Sequence, residues 1–580
     1  MPRGAPPISA DEFARFLKKC TPLHGWTRSI SVANSGGPDS TALLFLLKRH
    51  IDGVRANSPH SLPAQLYSLT VDHALQPESA KMAKLAEERA TSMGIPHVTS
   101  RVPWGQDPFP EHPGEGDAFE ETGRVVRYRL LLDRMKELDS YILALGHHGD
   151  DQVETSLMRL AKGTTEIGAG GMRKVRRWGM GMHNNDLNFA GMDGMRRWMI
   201  RPLLDLGKER ILATCYANNL EFATDTTNFQ PELTLRNAIR TLVSQNSFEP
   251  ESLGPNIPLH ILDGLQQIKT NISTLQSVEM DPSGGLDHLR SAVSVLSNQL
   301  EDIDSLVDSG LNRCHLPSPA GTYLVSSRGL ATVNDPLVQH ALVLRIMRYV
   351  SFFAWGTIRA DANRRRVSIE RIIRSLWTPD PFQSGVKPFV AGGGVVWTPV
   401  LVTKSRLKFP VNNVAPVRKS GDLVGWLASR QVPFIEARLQ ALGMPNVLKR
   451  DITEQLRAYL AIRHEKPGQI FDFLWDNRFL LHINVDGISE KIARAVLEEG
   501  NQIWVYPHSR WFWPKVVQFD ATGSEASETV LHSTLTVPKR GIVPLDRDVM
   551  LKWPQAYTRD LEEITAPWIE TEYIRSLSAL

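Results

Sequence analysis

Six consecutive residues, Ser35, Gly36, Gly37, Pro38, Asp39 and Ser40, stand between an apolar run from Ile30 to Asn34 and the helix-forming Thr41-Ala42-Leu43-Leu44. Two glycines let the backbone approach an anion, successive N–H groups can point inward, and the positive end of a helix dipole lies behind them. The pattern reads as a phosphate cradle; the alternative is a plain strand-turn-helix junction in which the glycines only permit the turn. No GxxxxGK[ST] segment occurs here, so this is not a Walker A loop.

A second cluster follows the run Tyr141 to Leu145 and reads Gly146-His147-His148-Gly149-Asp150-Asp151-Gln152-Val153-Glu154. With Asp39, the carboxylates Asp150, Asp151 and Glu154 offer hard oxygen ligands for magnesium, and His148 or a neighbouring carboxylate offers a proton acceptor. Helix capping alone needs one aspartate. Asp72 and His73 end the run beginning at Gln65; they could contact nucleotide or magnesium, or Asp72 could cap the helix near Glu78 while His73 sits in a loop. Glu120, Arg124 and Arg127 fall at i, i+4 and i+7, and Arg236, Asn237 and Arg240 stand within one turn of each other. Each set is a binding stripe or a solvated face with salt bridges. Two basic tracts suit an RNA backbone: Arg173, Lys174, Arg176, Arg177, Arg196 and Arg197 with Trp178 and Trp198, and Arg359, Arg364, Arg365, Arg366, Arg371 and Arg374. Their alternatives are a solvated loop and an amphipathic helix.

The elements that must position these groups alternate. Strands are expected at 30–34, 65–71, 97–102 and 141–145, with helices from Ser40, over 77–93, over 118–138 and over 151–161. Short apolar strands between amphipathic helices predict an α/β fold with a parallel, doubly wound sheet whose ligands lie at the carboxyl ends of the strands. Ser9-Ala10-Asp11-Glu12 reads as a capping box for a helix running to about Lys19. The stretches 103–116 and 163–198 read as surface excursions, the second rich in Gly, Met and Arg. Helical spacing returns at 208–218 and 236–243.

The chain has 580 residues, too many for one ordinary domain. The polar stretch 244–258 suggests a first boundary, giving a first domain over 1–245 that holds the phosphate loop, a helical or mixed domain over 259–410 and an α+β domain over 417–580. With 42% hydrophobic and 22% charged residues and no long apolar run, the composition is that of a globular protein without a membrane span. A net charge of +3 does not by itself imply nucleic acid. Three scattered cysteines, Cys20, Cys215 and Cys314, exclude a disulfide framework and disfavour structural zinc.

The SGGPDS loop resembles that of the PP-loop ATP pyrophosphatases, which split ATP into AMP and pyrophosphate. The order of SGGPDS, VDHALQPES, Glu120 with Arg124, Arg127 and Tyr128, GHHGDDQVET, Lys162-Gly163, Arg201-Pro202-Leu203-Leu204 with Lys208, and DTTN before Arg236-Asn237-Ala238-Ile239-Arg240 resembles the tRNA(Ile)-lysidine synthetases. The resemblance spans about 30–240, with fainter echoes at 391–399 and 474–479. It implies that ATP activates the wobble cytidine of an isoleucine tRNA with a CAU anticodon, after which free lysine displaces AMP. ATP binding would fall to Ser35, Gly36, Gly37, Pro38, Asp39, Ser40, Asp72 and His73, and magnesium to Asp39, Asp150, Asp151 and Glu154. Catalysis would fall to Asp39, His148 and Asp151, and lysine or tRNA to Glu120, Arg124, Arg127, Arg201, Arg236, Asn237 and Arg240. The chain departs from the family at Ala74-Leu75-Gln76, where Gly-Leu-Arg is usual, and at Thr234, where a tyrosine is common. A tRNA thiolase or a noncatalytic tRNA-binding scaffold are the alternatives. A eukaryotic origin would imply a mitochondrial address, and the cytoplasm is the alternative.

Overall fold

The computed structural model describes residues 4–578 except 56–64, 76, 115–118, 165, 182–189, 224–229, 358–364, 404–406, 411–413, 442–445 and 534–565. It falls into two compact units, divided between Asp302 and Ile303.

In the first unit, helix α1 (Ala10–Lys18) opens where the Ser9 side chain accepts the Glu12 N–H. The elements then alternate as β1 (Ser29–Ala33), α2 (Pro38–Arg55), β2 (Gln65–Asp72), α3 (Pro77–Ser92), β3 (His97–Arg101), α4 (Phe119–Glu137), β4 (Ile142–Ala144) and α5 (Gly149–Ala161). Next come α6 (Glu166–Ala169), β5 (Val175–Arg177), α7 (Gly191–Arg196), β6 (Trp198–Ile200), α8 (Lys208–Ala217), α9 (Leu235–Ser244), α10 (Leu259–Ile272) and α11 (Gly285–Cys314), the helix within which the division after Asp302 falls. The sheet order is β3-β2-β1-β4-β6-β5, parallel except for β5, which runs antiparallel to β6.

Side-chain alternation explains why helices cover both faces. Ile30, Val32, Ile142, Ala144, Trp198 and Ile200 pack on one side with Leu43, Leu44 and Leu47 of α2, Phe13 of α1 and Ile211 of α8. Leu69, Leu143, Leu145 and Met199 point to the other side, against Tyr128, Leu131, Leu132 and Met135 of α4. Strand order reverses between β1 and β4, and the loops after these two strands therefore share the crevice where ligands of such sheets bind.

The described residues of the excursion 163–198 include β5, α7 and the first residue of β6, which its Gly-rich composition did not suggest. The first unit also runs past the polar stretch 244–258. Ile261, Leu265 and Ile268 of α10 and Leu289, Val293 and Leu296 of α11 join Val153, Leu157, Ile239 and Leu242 of α5 and α9 in one apolar core.

In the second unit, β7 (His315–Leu316), β8 (Tyr323–Ser326), β9 (Phe389–Val390), β10 (Val395–Val402), β11 (Leu407–Lys408) and β12 (Leu423–Arg430) share a sheet of order β11-β10-β12-β8-β7, with β9 on β10. Because β8 pairs with β12, this sheet crosses the expected 410–417 boundary. Two smaller sheets follow. One joins β13 (Arg450–Asp451), β16 (Gln502–His508), β17 (Trp513–Phe519) and β18 (Thr529–His532), and the other joins β14 (Ile470–Trp475), β15 (Phe479–Asn484) and β19 (Ile569–Tyr573). No helix among the described residues is long and apolar enough to cross a membrane.

Candidate active site

The phosphate loop is built around a residue that the sequence reading passed over. Asn34, directly after β1, accepts the Gly36 N–H at 3.0 Å and the Ser40 hydroxyl at 3.1 Å, while its amide donates to Ser68 on β2 at 3.1 Å. Ser40 in turn accepts the Ser35 N–H at 3.1 Å. A polar residue ending an apolar strand was the available signal. Gly36 sits at φ +77°, and a Cβ there would lie 2.8 Å from the Met82 carbonyl oxygen, so this position admits only glycine without displacement of α3.

The acidic cluster lies against this loop. A Cβ on Gly146 would stand 3.0 Å from the Asp39 carbonyl carbon and the Ser40 nitrogen, which lets the end of β4 touch the start of α2. His148 caps α5 and is buried: its Nδ1 accepts the Asp150 N–H at 3.2 Å, and its own N–H donates to Asp151 at 3.0 Å. In the neutral ring that leaves the proton on Nε2, which lies 3.6 Å from Asp39 and 3.5 Å from Asp151. His148 therefore stands between the two carboxylates. Burial opposes charge on Asp151, but its surroundings, the His148 backbone N–H and Arg236 among them, outweigh it and hold the carboxyl below its usual range.

Lys208, at the start of α8, donates to both oxygens of Asp39 at 2.6 and 2.7 Å. Of the other expected metal ligands, Asp150 is held by Arg290 at 2.7 Å, which also grips Glu209. Glu154 is buried and paired with Arg240 at 2.7 and 3.0 Å. Asp39, Asp150 and Glu154 of the four expected magnesium ligands are thus each paired with a cation, and Asp151 accepts the His148 backbone N–H. No group of three ligating side chains is present among the described residues. Magnesium needs only one or two carboxylates when phosphate oxygens and water complete its shell, a number this rim can supply.

Asp72 closes a turn at the sheet edge and ties it to α3: it accepts the Ala74 N–H at 2.9 Å and the Ser79 hydroxyl at 2.6 Å. Ala74 adopts φ +53°, the left-handed conformation that suits the family's glycine, and Trp104 from the first excursion pins the segment by donating to the His73 carbonyl at 2.7 Å. Burial, with help from Arg127, pushes His73 down to about 4 and keeps it neutral.

A ring of arginines surrounds Tyr128 on α4. Arg124 lies over its ring at 5.2 Å, and Arg124, Arg201, Arg176 and Arg127 outweigh burial and lower its phenol below the usual range. Arg201 is fully enclosed; it donates to the Arg173 carbonyl at 2.8 Å and to His147 Nδ1 at 3.3 Å, and burial beside these cations pushes it down to about 9. His147, also buried and next to Arg201, falls to about 3. Such an accumulation of positive charge suits an anionic ligand. Asn237 donates to the Gln230 carbonyl at 2.9 Å, and Thr234 caps α9. The side chain of Glu120 and the DTTN segment lie outside the described residues.

The first basic tract is corrected most. Arg177 and Arg197 are buried, stacked on Trp198 at 4.3 Å and Tyr141 at 5.1 Å and bonded to the Met195 and Ser140 carbonyls. Trp178 and Trp198 are interior as well, and Lys174 lies between Asp205 and Glu301. These side chains knit β5, α7 and β6 to the sheet; of the tract, Arg196 is exposed and Arg173 and Arg176 are half-buried. In the second tract, Arg359 and Arg364 lie outside the described residues, while Arg365, Arg366, Arg371 and Arg374 are exposed.

Sheet order, cradle and facing carboxylates define a class: residues 7–247 match the model of the PP-loop domain. Within it, the similarity is to tRNA(Ile)-lysidine synthases. The enzyme of Methylobacterium nodulans is 36% identical over 228 residues, 39% of this chain and 57% of the relative. That of Bradyrhizobium sp. is 34% identical over 250 residues, 43% of this chain and 60% of the relative, and that of Bacillus subtilis is 33% identical over 222 residues, 37% and 39%. The matched part of the chain thus spans less than two thirds of these relatives' length. All three are bacterial, which lends the mitochondrial expectation no support.

Proposed function

We propose that this chain is a tRNA(Ile)-lysidine synthetase: it uses ATP to join free lysine to the wobble cytidine of an isoleucine tRNA with a CAU anticodon, releasing AMP and pyrophosphate. The observation that carries the reading is the meeting of the Asn34-anchored phosphate loop with Asp39, His148 and Asp151 in a domain similar to those synthases.

The cytosine carbonyl oxygen attacks the α-phosphorus of ATP, and pyrophosphate leaves. The N–H groups of Gly37, Asp39 and Ser40 at the start of α2 would face the departing phosphates, and Lys208 would follow them once Asp39 releases it. Asp39 and Asp151 would hold magnesium, which offsets charge on the phosphates when bound. The lysine ε-amine then attacks the adjacent ring carbon, the carbon–oxygen bond breaks and AMP departs with the oxygen. The ammonium must first lose a proton, from a pKa of about 10.4. His148 or a neighbouring rim carboxylate takes this role. The arginines around Tyr128 suit the phosphates of tRNA or of the adenylate. Sulfur delivery, the thiolase alternative, needs a reactive thiolate, whereas burial pushes Cys20 and Cys215 up to about 12 and Cys314 up to about 11.

The test is incubation of the purified protein with ATP, labelled lysine and a CAU-anticodon tRNA. Label enters tRNA with the native protein, and Asp39→Ala lowers incorporation at least a hundredfold, the scale expected for loss of a group acting on the transition state. No tRNA-bound label with the native protein would overturn the reading.

A further inference from the structure

The second unit contains a cavity of about 440 Å³, lined by Glu436, Asn446, Lys449, Arg450, Trp504 and Tyr506 among others. Trp504 and Tyr506 are two apart on β16 and so face the same side of the sheet; both are half-buried, with ring centroids 5.9 Å apart. Each ring has its polar surroundings arranged. The Trp504 indole N–H donates to Gln502 at 2.9 Å, and the Lys449 ammonium lies 5.4 Å from the Tyr506 centroid, steadied by Glu436 at 3.0 Å. Arg450 on β13 is exposed at the mouth, its backbone paired with Val505 between the two aromatic residues.

Charge decides what such a cavity takes. Lys449, Arg450 and Lys515 are matched by Glu436, Glu525 and Glu528, and Lys515 pairs with Glu528. A groove tracking a polyanion would show an excess of positive charge, which is lacking here. Two half-exposed aromatic rings lining the cavity beside an amide, a carboxylate and an ammonium instead suit a flat heterocycle carrying donors and acceptors on its edge, with one phosphate at Arg450.

We propose that this cavity binds an unpaired nucleobase of the RNA substrate, stacked on Trp504 or Tyr506, as a second contact separate from the ATP site. The inference rests on the tRNA reading above, and its test does not depend on catalysis. Fluorescein-labelled single-stranded hexaribonucleotide is titrated into the full chain by anisotropy, with the same sequence as a duplex and with CMP as competitor. Trp504→Ala should weaken single-strand binding roughly tenfold, the scale of one lost base–aromatic stack, and leave its salt dependence unchanged. Trp504→Phe retains a ring and should retain most of the affinity, which separates stacking from misfolding. Arg450→Glu should weaken binding several-fold and flatten the salt dependence.

Undiminished binding by Trp504→Ala, equal affinity for the duplex, or full competition by CMP at the concentration of the RNA would each overturn the proposal, the last by making the cavity a free-nucleotide site. If the variants behave as expected while the native protein transfers no lysine to tRNA, the nucleobase cavity stands and the synthetase reading falls.

Discussion

At the residue scale, the site depends on atoms with no room to move. Gly36→Ala places a methyl group 2.8 Å from a backbone oxygen at φ +77°. It should cost about 1–3 kcal/mol by thermal melting and depress pyrophosphate release in the lysine-transfer assay. Ala74→Gly has the opposite sign, since glycine accepts φ +53° without a Cβ penalty, and should raise stability by up to about 1 kcal/mol. In the second unit, His482 lies between Asp472 at 2.6 Å and Glu572 at 3.2 Å. Burial disfavours its charge, but the two carboxylates outweigh it and push it up to about 9. Its folded value is thus above the unfolded one, near 6.5, so the protonated ring stabilises fully below about pH 6.5 and that contribution is lost as pH rises through about 9. Chemical denaturation from pH 6 to 10 should show about 1–2 kcal/mol of this loss after allowance for solvent screening, and His482→Gln should remove it.

At the element scale, buried arginines staple strands together. Arg430 at the end of β12 and Arg478 beside β15 both grip Asp476 at 2.7 Å, and all three are almost fully buried. Asp476→Asn leaves two cations without a counter-charge and should cost about 3–5 kcal/mol, measured by denaturant unfolding. The parallel sheet of the first unit was legible in the sequence because each strand is a short apolar run beside a helix of a different period, and the expected strands 65–71 and 97–102 lie within a residue of β2 and β3. The segment 163–198 was not legible that way, since β5 and β6 are three residues each and their burial comes from arginine stems and tryptophans, a composition that otherwise marks an RNA-facing surface. The site was half legible. Residue type revealed the cradle and Asp151, but pairing is a long-range property: nothing local to Asp150 or Glu154 announces Arg290 or Arg240, and nothing local to Asp39 announces Lys208.

At the scale of the whole molecule, the PP-loop match ends at residue 247 while the apolar core it feeds continues through α10 and α11. Residues 1–314, which keep α11 whole, should give a cooperative melting transition as an isolated fragment. Residues 1–250 lose Ile261, Leu265, Ile268, Leu289, Val293 and Leu296 from that core, each contributing about 1.5–3 kcal/mol of burial, and should fail to melt cooperatively. Calorimetry of the two fragments checks this.

The bidentate clasp of Lys208 on Asp39 bears on discrimination among small ions. A lone cation attracted to Asp39 meets a competing ammonium, and a lone anion attracted to Lys208 meets a competing carboxylate. On the synthetase reading, a ligand delivering both charges in one event would satisfy the two side chains together, so the clasp would favour a nucleotide already wedded to its metal over either ion alone.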